Sequence, residues 1–198
     1  MSQQTEQTAR IAPLQAPYAP DVEAMLARWM PPASEAEPLR LFRTLVVHEQ
    51  LMSRMRPLGA GILGAGALVA PKLREVMIHR TCALTRAQYE WGVHAVAFGE
   101  PLGLSRTQLH STVHGDWRDP CWEPEQASVL RLADELHHTS TISDELWRAL
   151  ASHFEAPQIL ELIVTAGWYH VIAYICNGVR VQPEEWAPGF PPASAPVT

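Results

Sequence analysis

Apolar residues recur along this chain at spacings of three and four and nowhere alternate for long, so the pattern predicts helices throughout. Residues 1–20 carry Pro13, Pro17 and Pro20 with little periodicity and predict an extended arm. Val22, Met25, Leu26 and Trp29 then mark a short helix, with Asp21 as its expected cap and Pro31-Pro32 as its stop. After Pro38, Leu41, Leu45, His48, Met52 and Met55 form one stripe, with His48 at the edge of the core. The stretch RPLGAGILGAGALVAP, residues 56–71, reads as a flexible or closely packed connection.

Pro71 suits the first turn of a helix carrying Leu73, Val76, Met77 and Arg80. Thr85 is the expected cap of the next helix, which runs to Phe98 and stops at Gly99 before Pro101. Further helices are predicted from Ser105 to Val113 and from Pro124 to His137-His138. Another begins at Thr141–Asp144 with the stripe Leu146, Trp147, Leu150 and Phe154, and the last is a long apolar helix from Pro157 through Cys176. No hairpin or βαβ signal interrupts them. The fold class is therefore all-α, a bundle of about seven or eight helices. Residues 1–37 form an N-terminal arm with a short helix, residues 38–182 the helical domain, and residues 183–198 a Pro-rich C-terminal tail over the surface or free of it.

Composition narrows the function classes. A formal charge of −6 with no Lys or Arg cluster excludes a phosphate-binding face, so no nucleic-acid partner is expected. Glu161, Thr165, Gly167, Tyr169 and His170 interrupt the long apolar run, which favours a core helix over a membrane span. Three widely separated cysteines, Cys82, Cys121 and Cys176, include no CxxC and no zinc spacing. They read as reduced thiols of a cytoplasmic protein, in keeping with an N-terminus that lacks a signal sequence. The glycines Gly59, Gly61 and Gly64 fit G-x-G-x-x-G, but a helix precedes them and His79-Arg80 stand where the acidic residue belongs; a dinucleotide site is not supported. His110 and His114 are four apart, yet they lack a third ligand at matching spacing.

The chemistry concentrates in PKLREVMIHRTCALTRAQYEWGVH, residues 71–94. Glu90 and His94 share a helical face with Ala87, and Glu75 on the preceding helix can return towards them across an antiparallel turn. Two carboxylates and an imidazole in an apolar bundle suit proton transfer. Tyr89 and Trp91 offer an apolar wall for a small cyclic or aromatic substrate. The competing reading is a buried Glu–His–Glu network that only joins two helices. Glu75, Glu90 and His94 could also serve as a facial set for Mn, Fe or Zn. Neither a metal nor a cofactor is the leading expectation.

Glu75, the helix turn and AQYEWGVH, with SVLRLADELHHTSTISDELWRAL and ILELIVTAGWYHVIAYICNGV later, resemble the carboxymuconolactone decarboxylase and alkylhydroperoxidase-D-like superfamily across roughly residues 38–182. The resemblance implies an all-helical fold, a site at the start of the motif helix, and homo-oligomers (trimers or hexamers, or dimers). Redox members resemble E-(x)11-C-x-x-C-x-x-x-H. By position the acid is Glu75, the histidine His94, and the cysteine positions hold Ala87 and Glu90. Neither can supply the attacking or resolving thiol of peroxide chemistry. The resemblance therefore implies a lyase or isomerase using Glu75, Glu90 and His94 as catalytic residues on a small organic acid, lactone or ring compound. The alternatives are a peroxiredoxin-type antioxidant and a non-catalytic small-ligand-binding module.

Overall fold

The computed structural model describes residues 8–31, 34 and 36–193. Pro32 and Pro196, and with them parts of the expected arm and tail, lie outside the described residues. The described chain contains nine α-helices and no strand: α1 (Pro20–Ala27), α2 (Arg40–Leu45), α3 (Glu49–Leu63), α4 (Pro71–Leu84), α5 (Gln88–His94), α6 (Arg106–His114), α7 (Pro124–Thr139), α8 (Asp144–Ala151) and α9 (Ala156–Val179). With α2 and α3 counted as the single rod the pattern predicts, the bundle has eight helical units. A 3₁₀ turn at Val46–His48 splits that rod.

The bundle is built around α4. Every residue from Leu73 to Cys82 is buried, because α5, α6, α7 and α9 pack around this one helix. A helix enclosed on all sides normally reads as apolar all round. This one carries Arg74, Glu75, His79, Arg80 and Thr81, and buried polar groups must find partners. Arg80 does so: its Nε donates to Asp134 Oδ1 at 2.6 Å, and its Nη1 donates to the carbonyls of Thr112 and Gly115 at 3.0 Å each. Pro71 occupies the first turn of α4 as expected.

Several boundaries differ from the pattern. Thr85 closes α4 instead of capping α5, because its hydroxyl donates back to the Thr81 carbonyl at 2.7 Å. Arg86 turns the chain with φ 58°, and α5 starts at Gln88. After His94 the helix widens into a π turn, Ala95–Gly99. His48 is exposed and not at the core edge; its Nδ1 accepts from Leu51 N at 3.4 Å as the cap of α3. The glycine stretch is not a connection up to Gly64. α3 continues through Pro57 to Leu63, and Gly59 lets Trp168 of α9 pack against its backbone. Asp21 lies inside α1 behind Pro20, with Ala19 at the cap position. Trp147 stands outward from α8, while Leu146, Leu150 and Phe154 are buried.

The described parts of both terminal segments lie against the bundle. Arg10 N donates to Val179 O at 2.8 Å and Leu14 N to Arg43 O at 3.0 Å. Beyond α9, Glu184 Oε1 accepts from Arg40 N at 2.6 Å, and Phe190 meets Trp91 edge-on at 5.7 Å. Pro188 presses its carbonyl against Gly92, where any Cβ would fall on that oxygen. The C-terminal segment is thus strapped across the outer side of α5.

By length and composition α9 could cross a membrane, yet half of its most apolar window is buried in the fold. Its outward side carries Leu160, Val164, Val171 and Tyr174, the first and last 62% and 67% exposed. Their spacing of four, seven and three places them on one seam, with the exposed Gly167 between.

Candidate functional site

The return from α4 to α5 sets the site. With Arg86 absorbing the turn, the first half of α5 runs back along α4 and brings His94 to Glu75. His94 Nδ1–H donates to Glu75 Oε2 at 2.9 Å. On the other side of the ring, His94 Nε2 lies 3.4 Å from Glu90 Oε1 and 3.1 Å from the Tyr169 hydroxyl of α9. Glu75 is 0%, His94 3% and Glu90 7% exposed, so the triad is dry and Glu90 is its most accessible carboxylate.

Burial alone would lower the pKa of His94. The charge and hydrogen bond of Glu75, followed by those of Glu90, outweigh it and push the imidazole up to about 10. At neutral pH the ring is therefore an imidazolium, and Nε2–H is shared between Glu90 and Tyr169. Once it deprotonates, the Tyr169 O–H can donate to Nε2 instead. Burial pushes the Tyr169 phenol well above its ordinary range, so it keeps its proton in both states. The arrangement can store a proton on His94 and release it without moving a heavy atom.

His79 lies one helical turn from Glu75 and is fully buried. Its Nδ1–H donates to the Glu75 carbonyl at 2.7 Å, and the Glu75 carboxylate is 3.6 Å away. Desolvation lowers its pKa to about 4 despite that carboxylate. The pair is not a salt bridge at neutral pH. Its Nε2 is then a bare lone pair without a donor, set against Gly99 of the π turn, where a Cβ would come within 3.2 Å. Glu75 Oε1 is likewise enclosed without a partner. Phe98, 37% exposed, lies over the His94 ring with the centroids 4.9 Å apart. π turns recur at functional sites because they re-aim side chains such as these.

Glu75, Glu90 and His94 are thus brought together. The polar tips of Tyr89 and Trp91 are not brought to them. Tyr89 donates to Glu184 Oε1 at 2.6 Å and accepts from Leu41 N at 3.1 Å. Trp91 Nε1 donates to Thr112 Oγ1 at 3.1 Å, and its ring meets His79 edge-on at 5.6 Å. Tyr169, His79 and Phe98 join the triad without having been singled out by sequence. The i, i+4 spacings Glu75–His79 and His94–Phe98 carried a signal for two of them. Among the described residues no three His, Cys, Asp or Glu side chains are disposed to hold a metal ion. His114 instead donates from Nε2 to the Pro191 carbonyl at 2.6 Å. Cys82 and Cys176 are buried and Cys121 half-buried.

No family model matches the sequence, and no curated protein does. Solved structures do match. An uncharacterized peroxidase-related protein from Silicibacter sp. TM1040 superposes with a TM-score of 0.76 at 14% identity, over 93% of this chain and 96% of its own. The alkylhydroperoxidase AhpD core of an uncharacterized peroxidase-related protein from Ralstonia eutropha JMP134 gives 0.75 at 14% identity, over 90% and 95%. The debrominase Bmp8, in complex with 2,3,4-tribromopyrrole, gives 0.72 at 14% identity, over 91% and 94%. The chain has the alkylhydroperoxidase-D-like helical fold.

Proposed function

We propose that this protein is an acid–base enzyme, a carboxymuconolactone-decarboxylase-like lyase or isomerase, acting on a small organic acid, lactone or related ring without cysteine redox chemistry. The observation that carries this reading is His94 clasped between Glu75 at 2.9 Å and Glu90 at 3.4 Å in the dry interior, with Tyr169 at 3.1 Å. Glu90, the outermost of the three, takes a proton from a substrate carbon while the electron pair moves to a neighbouring carbonyl. The imidazolium of His94 returns a proton to the new position, and Glu75 holds the ring in place for the next cycle. That a neighbour of this fold is crystallised with a halogenated pyrrole supports a small ring as ligand.

Glu90→Gln tests the scheme. It keeps the shape and removes the ionisable group, so turnover on any substrate found by screening should fall about 100-fold or more. Unchanged turnover would sink the acid–base assignment.

A peroxiredoxin-type antioxidant role is the second reading, favoured by the descriptions of two neighbours as peroxidase-related. The interior argues against it. Cys82 is 0% exposed, and burial, then Glu90, pushes its thiol well above the ordinary range, away from the thiolate that peroxide requires. Peroxide consumption with a thiol reductant, abolished by Cys82→Ser, would favour the redox role. Binding of small carboxylates without turnover across a broad panel would favour a non-catalytic module. The outward seam of α9 supports self-association into the homo-oligomers that the fold's resemblance implies.

A further inference from the structure

Arg74 is 7% exposed, yet no hydrogen bond or ion pair to any described residue engages its guanidinium, and its Nε is wholly enclosed without an acceptor. The other arginine drawn into the α4 interior, Arg80, has three acceptors; Arg43, buried on α2, has Pro38 O, Leu14 O and Gln15 Oε1. A guanidinium cannot shed its charge, and here its Nε–H is enclosed with no acceptor in the fold, a donor left unsatisfied. A cation so placed, with no acceptor among the described residues, is free to receive an anion from outside the chain.

Its place in the fold says where that anion sits. Arg74, Ile78 and Cys82 form one i, i+4, i+8 stripe of α4. At the far end of the stripe, Cys82 lies within electrostatic reach of Glu90 and of Cys176 on α9. At the near end, the charge of Arg74 acts on the phenol of Tyr169, whose oxygen is 3.1 Å from His94 Nε2. The cation thus sits on the helix that carries Glu75 and packs on α9, within electrostatic reach of the relay's Tyr169. No carboxylate of a described residue pairs with it: Glu75 bonds His94 through Oε2 and leaves Oε1 without a partner, and Glu161 of α9 accepts from the backbone amides of Leu68 and Val69 at 2.8 and 2.9 Å.

We propose that Arg74 is the anion-recognition residue of this site and that the substrate is a carboxylate, its two oxygens paired with the guanidinium while the carbon skeleton extends to Glu90 and His94. A planar guanidinium matches a carboxylate oxygen for oxygen, which an ammonium cannot do. This rests on the acid–base reading of the site and narrows its substrate from organic acid, lactone or ring to the organic acid anion. Arg74 positions the anion and moves no proton.

The test uses the full chain with acetate and benzoate as probes and acetamide and benzamide as neutral counterparts, read by isothermal titration and thermal shift. The wild type should bind the carboxylates in preference to the amides. Arg74→Met should weaken carboxylate binding about tenfold or more while the ligand-free midpoint stays level or rises, because an unpaired buried charge has been removed. Arg74→Lys should keep only part of the affinity. No preference for carboxylates in the wild type, or full carboxylate affinity in Arg74→Met, would overturn the proposal. So would a lower ligand-free midpoint in Arg74→Met with binding retained, since that marks a structural cation. If Arg74→Met does not fold, Arg74→Gln gives the same readout, and retained affinity there has the same force. Glu90→Gln separates the two ideas: lost turnover with carboxylate affinity intact supports both. Unchanged turnover defeats the acid–base scheme alone, and intact affinity in Arg74→Met defeats the anion assignment alone.

Discussion

Replacing Glu75 by Gln removes one charge from the centre of the bundle with almost no change of shape. Its effect on stability can be worked from the His94 contact. In the native state Glu75 Oε2 takes the His94 Nδ1–H at 2.9 Å, and the imidazole titrates at about 10 where an unfolded chain titrates near 6.5. The folded pKa is the higher one, so the stabilisation is fully present below 6.5 and fades as pH rises through 10. At about 1.4 kcal/mol per pH unit the interval sets a ceiling of roughly 5 kcal/mol, and removing one member of a buried charged pair typically costs about 3–5 kcal/mol. In Glu75→Gln the amide oxygen can still accept Nδ1–H from a neutral ring, so the hydrogen bond survives while the charge attraction is lost. Urea unfolding followed by tryptophan fluorescence should show the variant about 3 kcal/mol or more less stable at pH 6 and only about 1 kcal/mol less stable at pH 9. Histidine NMR should show the high-pH titration gone. A deficit that stays constant from pH 6 to 9, or a His94 that still titrates near 10, would refute the charge account.

His79 works in the opposite sense: its folded pKa of about 4 lies below the unfolded value, so its contribution is present above 6.5 and lost as pH falls through 4. His79→Phe should flatten the acid limb of the stability profile between pH 6.5 and 4, measured by the same urea titrations; an unchanged slope would place the acid sensitivity elsewhere. Gly92→Ala puts a methyl on the Pro188 carbonyl and should lift the C-terminal segment from α5, speeding limited proteolysis beyond α9 while far-UV circular dichroism stays native. Tyr174→Glu places a charge on the α9 seam and should shift sedimentation velocity towards the monomer; an identical profile would mean this face carries no subunit contact.

The triad was legible because Glu90 and His94 obey helical spacing and the turn between α4 and α5 is short enough to force an antiparallel return. Tyr169 was not, because it is 75 residues from His94 and only the packing of α9 across α4 brings it there. Arg74 was hidden by its neighbours: an Arg-Glu step in a first turn reads as a solvated face, and its burial follows from four helices closing over α4. The π turn left no mark in Ala95–Gly99, residues that any helix tolerates; it is defined by the wider closure in which Glu100 N reaches the Ala95 carbonyl at 2.9 Å. The broken rod at Val46–His48 was missed for a related reason, since the apolar stripe continues across it.

The strap over α5 joins residues that leave the ribosome far apart in time. Tyr89 and Glu184 are 95 positions apart, and Pro188 follows later still. A nascent chain therefore displays its motif helix with one flank unsupported until Glu184, Pro188 and Phe190 emerge, and a chain released before Phe190 would lack that brace. Support of the motif helix is in this way delayed until the 95 positions that separate Tyr89 from Glu184 have been translated.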